Sequence, residues 1–256
     1  MKGLGALAIF SLLLLMSAIS TKAYFNTTAL STTIFLTNST SAHVVEGVEL
    51  YVSNSSLGTY MQDRQAFNLS LSSWQKATGS PFLTEHILNP YSSISNFTFL
   101  PGPVISVNNS GGYASLTMSY YVNNVTSVTN IAPRQFKYSL NSDVFNFLHT
   151  ASGQALPANT RLTLIVPNGT RIVGVYPAPD FPLPSGTGNY TGTQFAWYSG
   201  EPLQNFQFSY VTTQTPQQEV MSFFSYVYSH YAALVYLLLL LFFVAVAIYA
   251  YTKFFR

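Results

Sequence analysis

The sequence predicts a mainly β protein, with an antiparallel β-sandwich-like ectodomain joined by a C-terminal stalk to a single transmembrane α-helix. Three observations support this prediction. Short rows of alternating apolar and polar residues recur between residues 24 and 214, separated by turn residues. A helix start signal follows at Thr215-Pro216. The stretch Tyr231–Tyr251 is uncharged and predominantly apolar, and at about 1.5 Å per residue it is long enough to cross a hydrocarbon core of about 30 Å.

Residues 1–23 have the features of a signal peptide. Lys2 supplies a positive charge, residues 3–19 are predominantly apolar, and Ala18-Ile19-Ser20 is a small-x-small cleavage pattern. Two alternatives stay open. The apolar stretch lies at the short end of the range for an uncleaved signal anchor, and Lys2-Gly3 before it is similar to the processing site of archaeal type IV pilin-like precursors. All three alternatives place residues 24–214 outside the cytoplasm.

Period-2 alternation predicts half-buried strands in the region 24–214. The apolar members of the rows are Val44, Val48, Leu50 and Val52; Phe67, Leu69 and Leu71; Phe97 and Phe99; Ala114, Leu116, Met118, Tyr120 and Val122; Phe136, Tyr138 and Leu140; Leu162, Leu164 and Val166; and Phe206, Phe208 and Tyr210. We expect roughly nine to eleven short strands. They form either one large sandwich or two tandem sandwiches that divide near residues 130–133.

Turn residues separate these rows. The segment Asn108–Gly112 predicts a connection between two strands, and Pro167-Asn168-Gly169 predicts a tight hairpin, because Asn-Gly favours the positive φ that such turns need. The prolines and glycines of residues 177–192 indicate a loop. Strands separated by turns at this spacing favour an antiparallel sandwich over alternating βαβ units.

Helix is expected to be scarce before the C-terminal region. Ser142-Asp143 predicts the cap of a short helix whose apolar face holds Val144, Phe147 and Leu148, although these residues also fit a strand. Residues 215–230 predict a helical stalk that continues into the span, with Thr215 and Gln218 forming a capping box at its start.

The orientation of the span follows from its flanks. Residues 252–256 form a short tail that carries Lys253 and Arg256, and cations next to a span mark its cytoplasmic end. Tyrosines occur at both ends of Tyr231–Tyr251, as expected of side chains at the headgroup level. The sequence therefore predicts a single-pass protein of the cell membrane, with a cytoplasmic C-terminus and the bulk of the chain outside the cytoplasm.

The composition narrows the function classes. Charged residues make up 7 % of the chain, against about 25 % in average soluble domains. The predicted exterior holds eight acids and six cations, so the basic footprint of a nucleic-acid-binding protein is absent. The chain has no cysteine, which excludes disulfides, iron–sulfur clusters and thiolate zinc sites.

Asn-x-Ser/Thr acceptors are abundant in the region between the two apolar ends. Their frequency exceeds the value of about four that chance predicts from the Asn, Ser and Thr content. The nine candidate glycosylation sites are Asn26, Asn38, Asn54, Asn68, Asn96, Asn108, Asn124, Asn168 and Asn189. The excess favours glycosylation, although Asn168 is also explained by its predicted turn.

The sequence predicts no catalytic, cofactor or metal site. Its four histidines are scattered, and the chain contains no Gly-x-Ser-x-Gly elbow and no Gly-x-Gly-x-x-Gly motif. Glu46 is the exception among the acids, because it shares the phase of Val44, Val48 and Leu50 on its predicted strand. We expect a strand-end or edge position that keeps Glu46 in water; the alternative is burial, which favours a protonated carboxyl.

Several segments resemble those of uncharacterised archaeal membrane-anchored cell-surface glycoproteins. They are residues 156–179, Phe195-Ala196-Trp197 and Phe206–Tyr210, combined with the signal-like start, the acceptor-rich exterior and the basic tail. The resemblance implies a location at the cell surface and no particular activity.

We therefore expect a membrane-anchored, N-glycosylated surface protein with a structural, adhesive or interaction role. Its expected partners are the lipid bilayer, glycans and a surface-layer or membrane protein, and we expect neither a cofactor nor nucleic acid. One alternative is an extracytoplasmic accessory subunit of a membrane protein complex. Another is a secreted-type hydrolase, which would need two carboxylates from distant strands to converge in a cleft.

Overall fold

The computed structural model describes residues 25–66, 70–108, 110–147, 149–150, 153–183 and 190–254. The predicted segment 1–23, together with Phe67, Leu69, Leu148 and Arg256, lies outside the described residues. Within the described ranges the chain is mainly β, as predicted. The strands are β1 (Asn26–Leu36), β2 (Ala42–Ser53), β3 (Ser95–Pro101), β4 (Ile105–Asn108), β5 (Gly111–Val122), β6 (Thr126–Ala132), β7 (Gln135–Leu140), β8 (His149–Thr150), β9 (Gly153–Gln154), β10 (Thr160–Ile165), β11 (Arg171–Tyr176), β12 (Gln194–Tyr198) and β13 (Gln207–Thr213). The helices are α1 (Leu57–Ala66), α2 (Leu71–Thr78) and α3 (Pro216–Phe254).

Two larger sheets contain most of these strands. The first has the order β12-β10-β1-β2-β5-β3, and β4 also pairs with β5. The second has the order β11-β13-β7-β6. Neighbouring strands are antiparallel except for β1 and β10, which run parallel in the register Leu30↔Thr160 to Phe35↔Ile165. The central pair of the first sheet, β2 and β5, is matched residue by residue from Ala42↔Val122 to Ser53↔Gly111.

Aromatic side chains join the two sheets. The ring of Phe208 on β13 lies 5.1 Å from that of Phe195 on β12. The hydroxyls of Tyr138 and Tyr210 in the second sheet donate to the carbonyls of Asn38 (2.9 Å) and Thr37 (2.8 Å), which follow β1 in the first sheet. Buried residues from both sheets belong to one hydrophobic cluster.

The strand predicted from Phe67, Leu69 and Leu71 is wrong at its described end. Leu71 begins helix α2, whose buried face carries Trp74 and Thr78, and Gly79 ends the helix in the left-handed region with φ 61°. A residue pair at i and i+4 shares one face of a helix, so burial of Trp74 and Thr78 favours a helix over a strand.

The hairpin predicted at Pro167-Asn168-Gly169 is also wrong. Gly169 does have a positive φ of 77°. However, the strands on either side of this turn do not pair with each other: β10 pairs with β1 and β12 in the first sheet, and β11 pairs with β13 in the second. The turn therefore carries the chain between sheets. By contrast, the connection predicted at Asn108–Gly112 does join two paired strands, β4 and β5.

The short helix predicted after Ser142-Asp143 is reduced to a single 3₁₀ turn, Ser142–Val144. Phe145 then takes an extended conformation with φ −76° and ψ 129° and forms an isolated antiparallel bridge with Ile87. This bridge directs the chain along the segment that carries His86.

Helix α3 begins as predicted. The Thr215 hydroxyl accepts from the Gln218 amide at 3.2 Å, and the Gln218 side chain accepts from the Thr215 amide at 2.9 Å, which completes a capping box. The backbone departs from helical geometry at Tyr231, with φ −128° and ψ 28°. Beyond this kink, the stretch Tyr236–Lys253 is long and apolar enough to span a membrane, and it is not buried against the rest of the chain.

Candidate functional site

The site centres on Glu46, which lies in the middle of β2 and is fully buried. The expectation that Glu46 sits in water at a strand end or edge is therefore wrong. Strand β2 lies between β1 and β5, so neither of its edges is free. The inward phase that Glu46 shares with Val44 and Val48 places its carboxyl under the segment that follows helix α2.

Three donors satisfy the Glu46 carboxylate. The backbone N–H of His86 donates to Oε1 at 2.9 Å, and Nδ1 of the same residue lies 2.5 Å from Oε2. The Tyr120 hydroxyl on β5 also donates to Oε1. An ionised carboxylate only accepts hydrogen bonds, so it pairs with the tautomer of His86 that has its proton on Nδ1. The tyrosine oxygen accepts in turn from the Ile87 amide at 3.3 Å.

Backbone hydrogen bonds hold the His86 segment on its other side. The Asn146 amide donates to the His86 carbonyl at 2.7 Å, and the Leu88 amide donates to the Val144 carbonyl at 2.7 Å. The imidazole also stacks on Phe147 with ring centroids 5.1 Å apart. The imidazole is therefore held by the Glu46 carboxylate, by the backbone hydrogen bonds of its own segment and by the ring of Phe147.

His86 lines a cavity of about 390 Å³. Its lining is predominantly apolar and consists of Pro81, Phe82, Thr84, His86, Asn146, Phe147 and Pro157. In the described part of the chain, the second ring nitrogen of His86, Nε2, has no hydrogen-bond partner. Predominantly apolar walls with a few polar side chains, here those of Thr84, His86 and Asn146, match the general build of a binding site for a compact, largely apolar group.

Burial keeps the phenol of Tyr120 protonated. It raises the pKa of the Tyr120 phenol well above its ordinary value, and the adjacent Glu46 carboxylate raises it further through its charge and its hydrogen bond. Tyr120 therefore remains a neutral donor to Glu46 at any physiological pH. Its hydrogen bond stabilises and orients the carboxylate.

The network does not complete a hydrolytic site among the described residues. The hydrogen bonds of the Glu46 carboxylate involve an imidazole, an amide and a phenol, and no second carboxylate. Within the same ranges, no group of three or more His, Asp or Glu residues is placed to hold a metal ion. What the arrangement offers chemically is an oriented imidazole in the lining of a predominantly apolar cavity.

The candidate glycosylation sites are dispersed over the surface instead of forming one site. Those whose side chains are described are all exposed: Asn26, Asn38, Asn54, Asn96, Asn124 and Asn168. Asn108 lies at the end of β4, while Asn68 and Asn189 lie outside the described residues. Exposure is what an acceptor needs in order to carry a glycan.

Two other histidines, His43 and His230, do not join the Glu46 network. The ring of His43 lies on the outer phase of β2, between Phe35 and Tyr121, at centroid distances of 5.5 and 4.8 Å. His230 lies on helix α3 and stacks on Tyr226. The partners of Glu46 were not found from the sequence: Tyr120 fits an ordinary apolar row, and His86 lies in an irregular segment without a periodic signal.

A scan of the chain against protein-family models gives no match, and a search of curated proteins gives none either.

Proposed function

We propose that this chain is a single-pass, membrane-anchored surface protein that presents an N-glycosylated β ectodomain outside the cytoplasm and acts by binding. One observation carries the proposal: the last strand of the β region, Gln207–Thr213, leads after two residues into helix α3, which ends in an unburied apolar stretch of membrane-spanning length. The positive tail orients the helix with its C-terminus in the cytoplasm.

The β region is a compact ectodomain in this proposal, with its two sheets facing each other as a sandwich. The ring contact between Phe195 and Phe208 and the tyrosine hydrogen bonds to Thr37 and Asn38 support this arrangement. The interaction role is supported by the His86 cavity, which provides a preformed and predominantly apolar recess. The resemblance to archaeal surface glycoproteins is consistent with the same role and adds no activity.

Junction contacts tie the ectodomain to its anchor. The Arg134 side chain, in the turn between β6 and β7, donates from Nε and Nη2 to the Gln214 carbonyl at 3.0 and 2.8 Å. Its Nε also lies 3.7 Å from a carboxylate oxygen of Glu219, in the first turn of α3. These contacts hold the start of the helix against the second sheet.

Protease shaving of intact cells tests the topology. With an epitope tag fused after Arg256, protease added outside should degrade the β region and leave a short tagged fragment containing the span. Treatment with a glycosidase, or replacement of the acceptor asparagines by glutamine, should lower the apparent mass of the chain before shaving. Survival of the full-length chain in intact cells, with degradation only after lysis, would place the β region in the cytoplasm and refute the proposal.

Purification in a mild detergent separates the remaining alternatives. A fixed stoichiometric protein partner would favour an accessory subunit of a membrane complex over an independent surface protein. The intramembrane surface offers little polar contact for such a partner, because the Tyr236 hydroxyl is already paired with that of Tyr228 at 2.7 Å within the same helix.

A further inference from the structure

The part of helix α3 before the kink at Tyr231 has two chemically distinct faces. At about 100° per residue, one face carries Gln218, Ser222, Ser225 and Ser229, which recur at spacings of four, three and four residues. The opposite face carries Val220, Phe223, Phe224 and Val227. The side chains of Val220, Phe223 and Phe224 are all more than half exposed. These three residues therefore have no cover within the described part of the chain, while Val227 is half-buried.

The length of the uncharged helix exceeds what a bilayer core needs. No Asp, Glu, Lys or Arg occurs between Val220 and Thr252, a stretch of about 50 Å at about 1.5 Å per residue. The hydrocarbon core is about 30 Å thick. Residues 232–251, beyond the kink, already span about 30 Å, so the uncharged turns before Tyr231 lie outside the core.

We propose that the helix from Pro216 to His230 lies along the membrane surface, with its apolar face in the headgroup region, and bends at Tyr231 into the span. This inference rests on the proposed membrane anchorage and replaces the upright stalk expected from the sequence. The bound surface is lipid, and the contact is made by Val220, Phe223, Phe224 and Val227.

The borders between the two faces favour lipid over a second copy of the helix. They carry Tyr226 and Tyr228, both exposed, and tyrosine is enriched at the membrane–water boundary because its ring is apolar and its hydroxyl is wet. In a helical dimer, the corresponding flanking positions are typically charged and form interhelical ion pairs. Glu219 is the charged residue on these borders, and its carboxylate lies 3.7 Å from Nε of Arg134. From Val220 to Ser229 the helix has no charged residue.

The surface orientation also brings the β region close to the bilayer. Arg134 binds the Gln214 carbonyl immediately before the helix, so the turn between β6 and β7 stays at the level of the first helical turn. An upright helix of these residues would instead hold the β region roughly 20 Å above the membrane.

Site-directed spin labelling tests this inference directly, since the chain has no cysteine and each label needs a single substitution. Full-length protein with a label at Gln218, Val220, Ser222, Phe224, Ser225 or Val227 is reconstituted at low density into phosphatidylcholine vesicles. Collision rates are measured with oxygen, which concentrates in lipid, and with a water-soluble nickel chelate. Leu238 in the span and Thr129 on the exposed phase of β6 serve as the lipid and water references.

The expected result is a periodic pattern. Labels at Val220, Phe224 and Val227 should resemble Leu238, with oxygen collisions exceeding nickel collisions several-fold. Labels at the three other positions should resemble Thr129. Because the apolar face has no cation, adding anionic phosphatidylglycerol to the vesicles should leave the pattern unchanged. The pair Val220→Ser and Phe224→Ser should shift a label at Val227 toward water, whereas Ser222→Ala with Ser225→Ala should not.

Three results would overturn the inference. Nickel access at all six positions, with Leu238 still in lipid, would mean that the helix stands in water while the anchorage holds. Spin–spin broadening at Val220 and Phe224 that disappears on dilution with unlabelled protein would identify a second copy as the occupant of the apolar face. Nickel access at Leu238 as well would refute the membrane anchorage itself together with the inference.

Discussion

Replacement of Glu46 by alanine is the sharpest test of the buried network. The substitution removes the acceptor for three donors that stay in place: the His86 amide, the His86 ring N–H and the Tyr120 hydroxyl. All three donors meet Glu46 inside the core, where the glutamate has no exposed surface. No neighbouring acceptor is freed by the change, so these donors remain buried without their acceptor.

The expected cost follows from these contacts. A buried donor left unpaired costs about 1–3 kcal/mol, and the substitution leaves three such donors. We expect Glu46→Ala to lower the free energy of unfolding by about 3–5 kcal/mol. This is a large share of the total free energy of unfolding of a typical domain, which is about 5–15 kcal/mol. Glu46→Gln keeps one acceptor oxygen, so its cost should be smaller, about 1–2 kcal/mol.

The measurement is equilibrium urea unfolding of the full-length protein in detergent, followed by tryptophan fluorescence. Trp74 and Trp197 are the two tryptophans of the chain, and both are fully buried in the β region, so the signal reports on that region and not on helix α3. The matched control is Glu49→Ala on the same strand. Glu49 is exposed and bonds to the hydroxyl of Thr28 at 2.8 Å, so its loss should change stability by less than about 0.5 kcal/mol.

A double substitution tests the coupling. If Glu46 and Tyr120 form one network, the cost of Glu46→Ala combined with Tyr120→Phe should be smaller than the sum of the two single costs, because the second change removes a donor that the first one orphaned. Equal stabilities of the Glu46→Ala and Glu49→Ala variants would refute the reasoning. Strict additivity of the double substitution would refute the shared network.

Alkaline pH should destabilise the β region, because unfolded tyrosines ionise near pH 10 while burial raises the pKa of Tyr60 to about 12. Between these two pKa values the unfolded state binds fewer protons than the folded state, so stability falls as pH rises. The unfolding midpoint of Tyr60→Phe should therefore fall less steeply with pH than that of the unsubstituted protein. An equal slope in both proteins would contradict this. Thr215→Ala should destabilise the start of helix α3 by about 1 kcal/mol and speed amide exchange in its first turn. The control Ser225→Ala should leave that exchange unchanged. Equal exchange rates in the two variants would contradict the capping box. Arg134→Ala should speed amide exchange around Gln214, since two hydrogen bonds to the Gln214 carbonyl are lost. Arg134→Lys should restore only part of the protection, because lysine lacks the forked guanidinium group. Full restoration by lysine would contradict the forked contact.

Elements whose stabilising partners are close in the chain were predictable. The capping box of Thr215 and Gln218 is completed within one helical turn, so its residues signal it without knowledge of the fold. The row Ala114–Val122 is long enough for alternation to identify strand β5. The apolar content of Tyr231–Tyr251 is likewise a local property, because transfer into lipid depends on composition and length.

Elements that depend on distant partners were not predictable. The alternation of Phe67, Leu69 and Leu71 covers too few residues to separate strand from helix, and the burial of Trp74 against Tyr60 and Phe99 goes with the helix. The turn at Asn168 has hairpin chemistry, but its local residues do not specify which strands pair. Strand β10 instead pairs in parallel with β1, and these two strands are more than a hundred residues apart in the chain.

The sequence by itself determined where apolar and polar residues alternate, where the C-terminal helix starts and which stretch suits a lipid core, because each of these is a property of neighbouring residues. Only the tertiary structure decided the fate of Glu46. Its acceptor oxygens meet donors that are 40 and 74 residues away, and a carboxylate is stable in the core only where such donors converge. Alternation placed Glu46 in phase with Val44 and Val48, but the convergence of donors that makes its burial tolerable is a property of the assembled sheets.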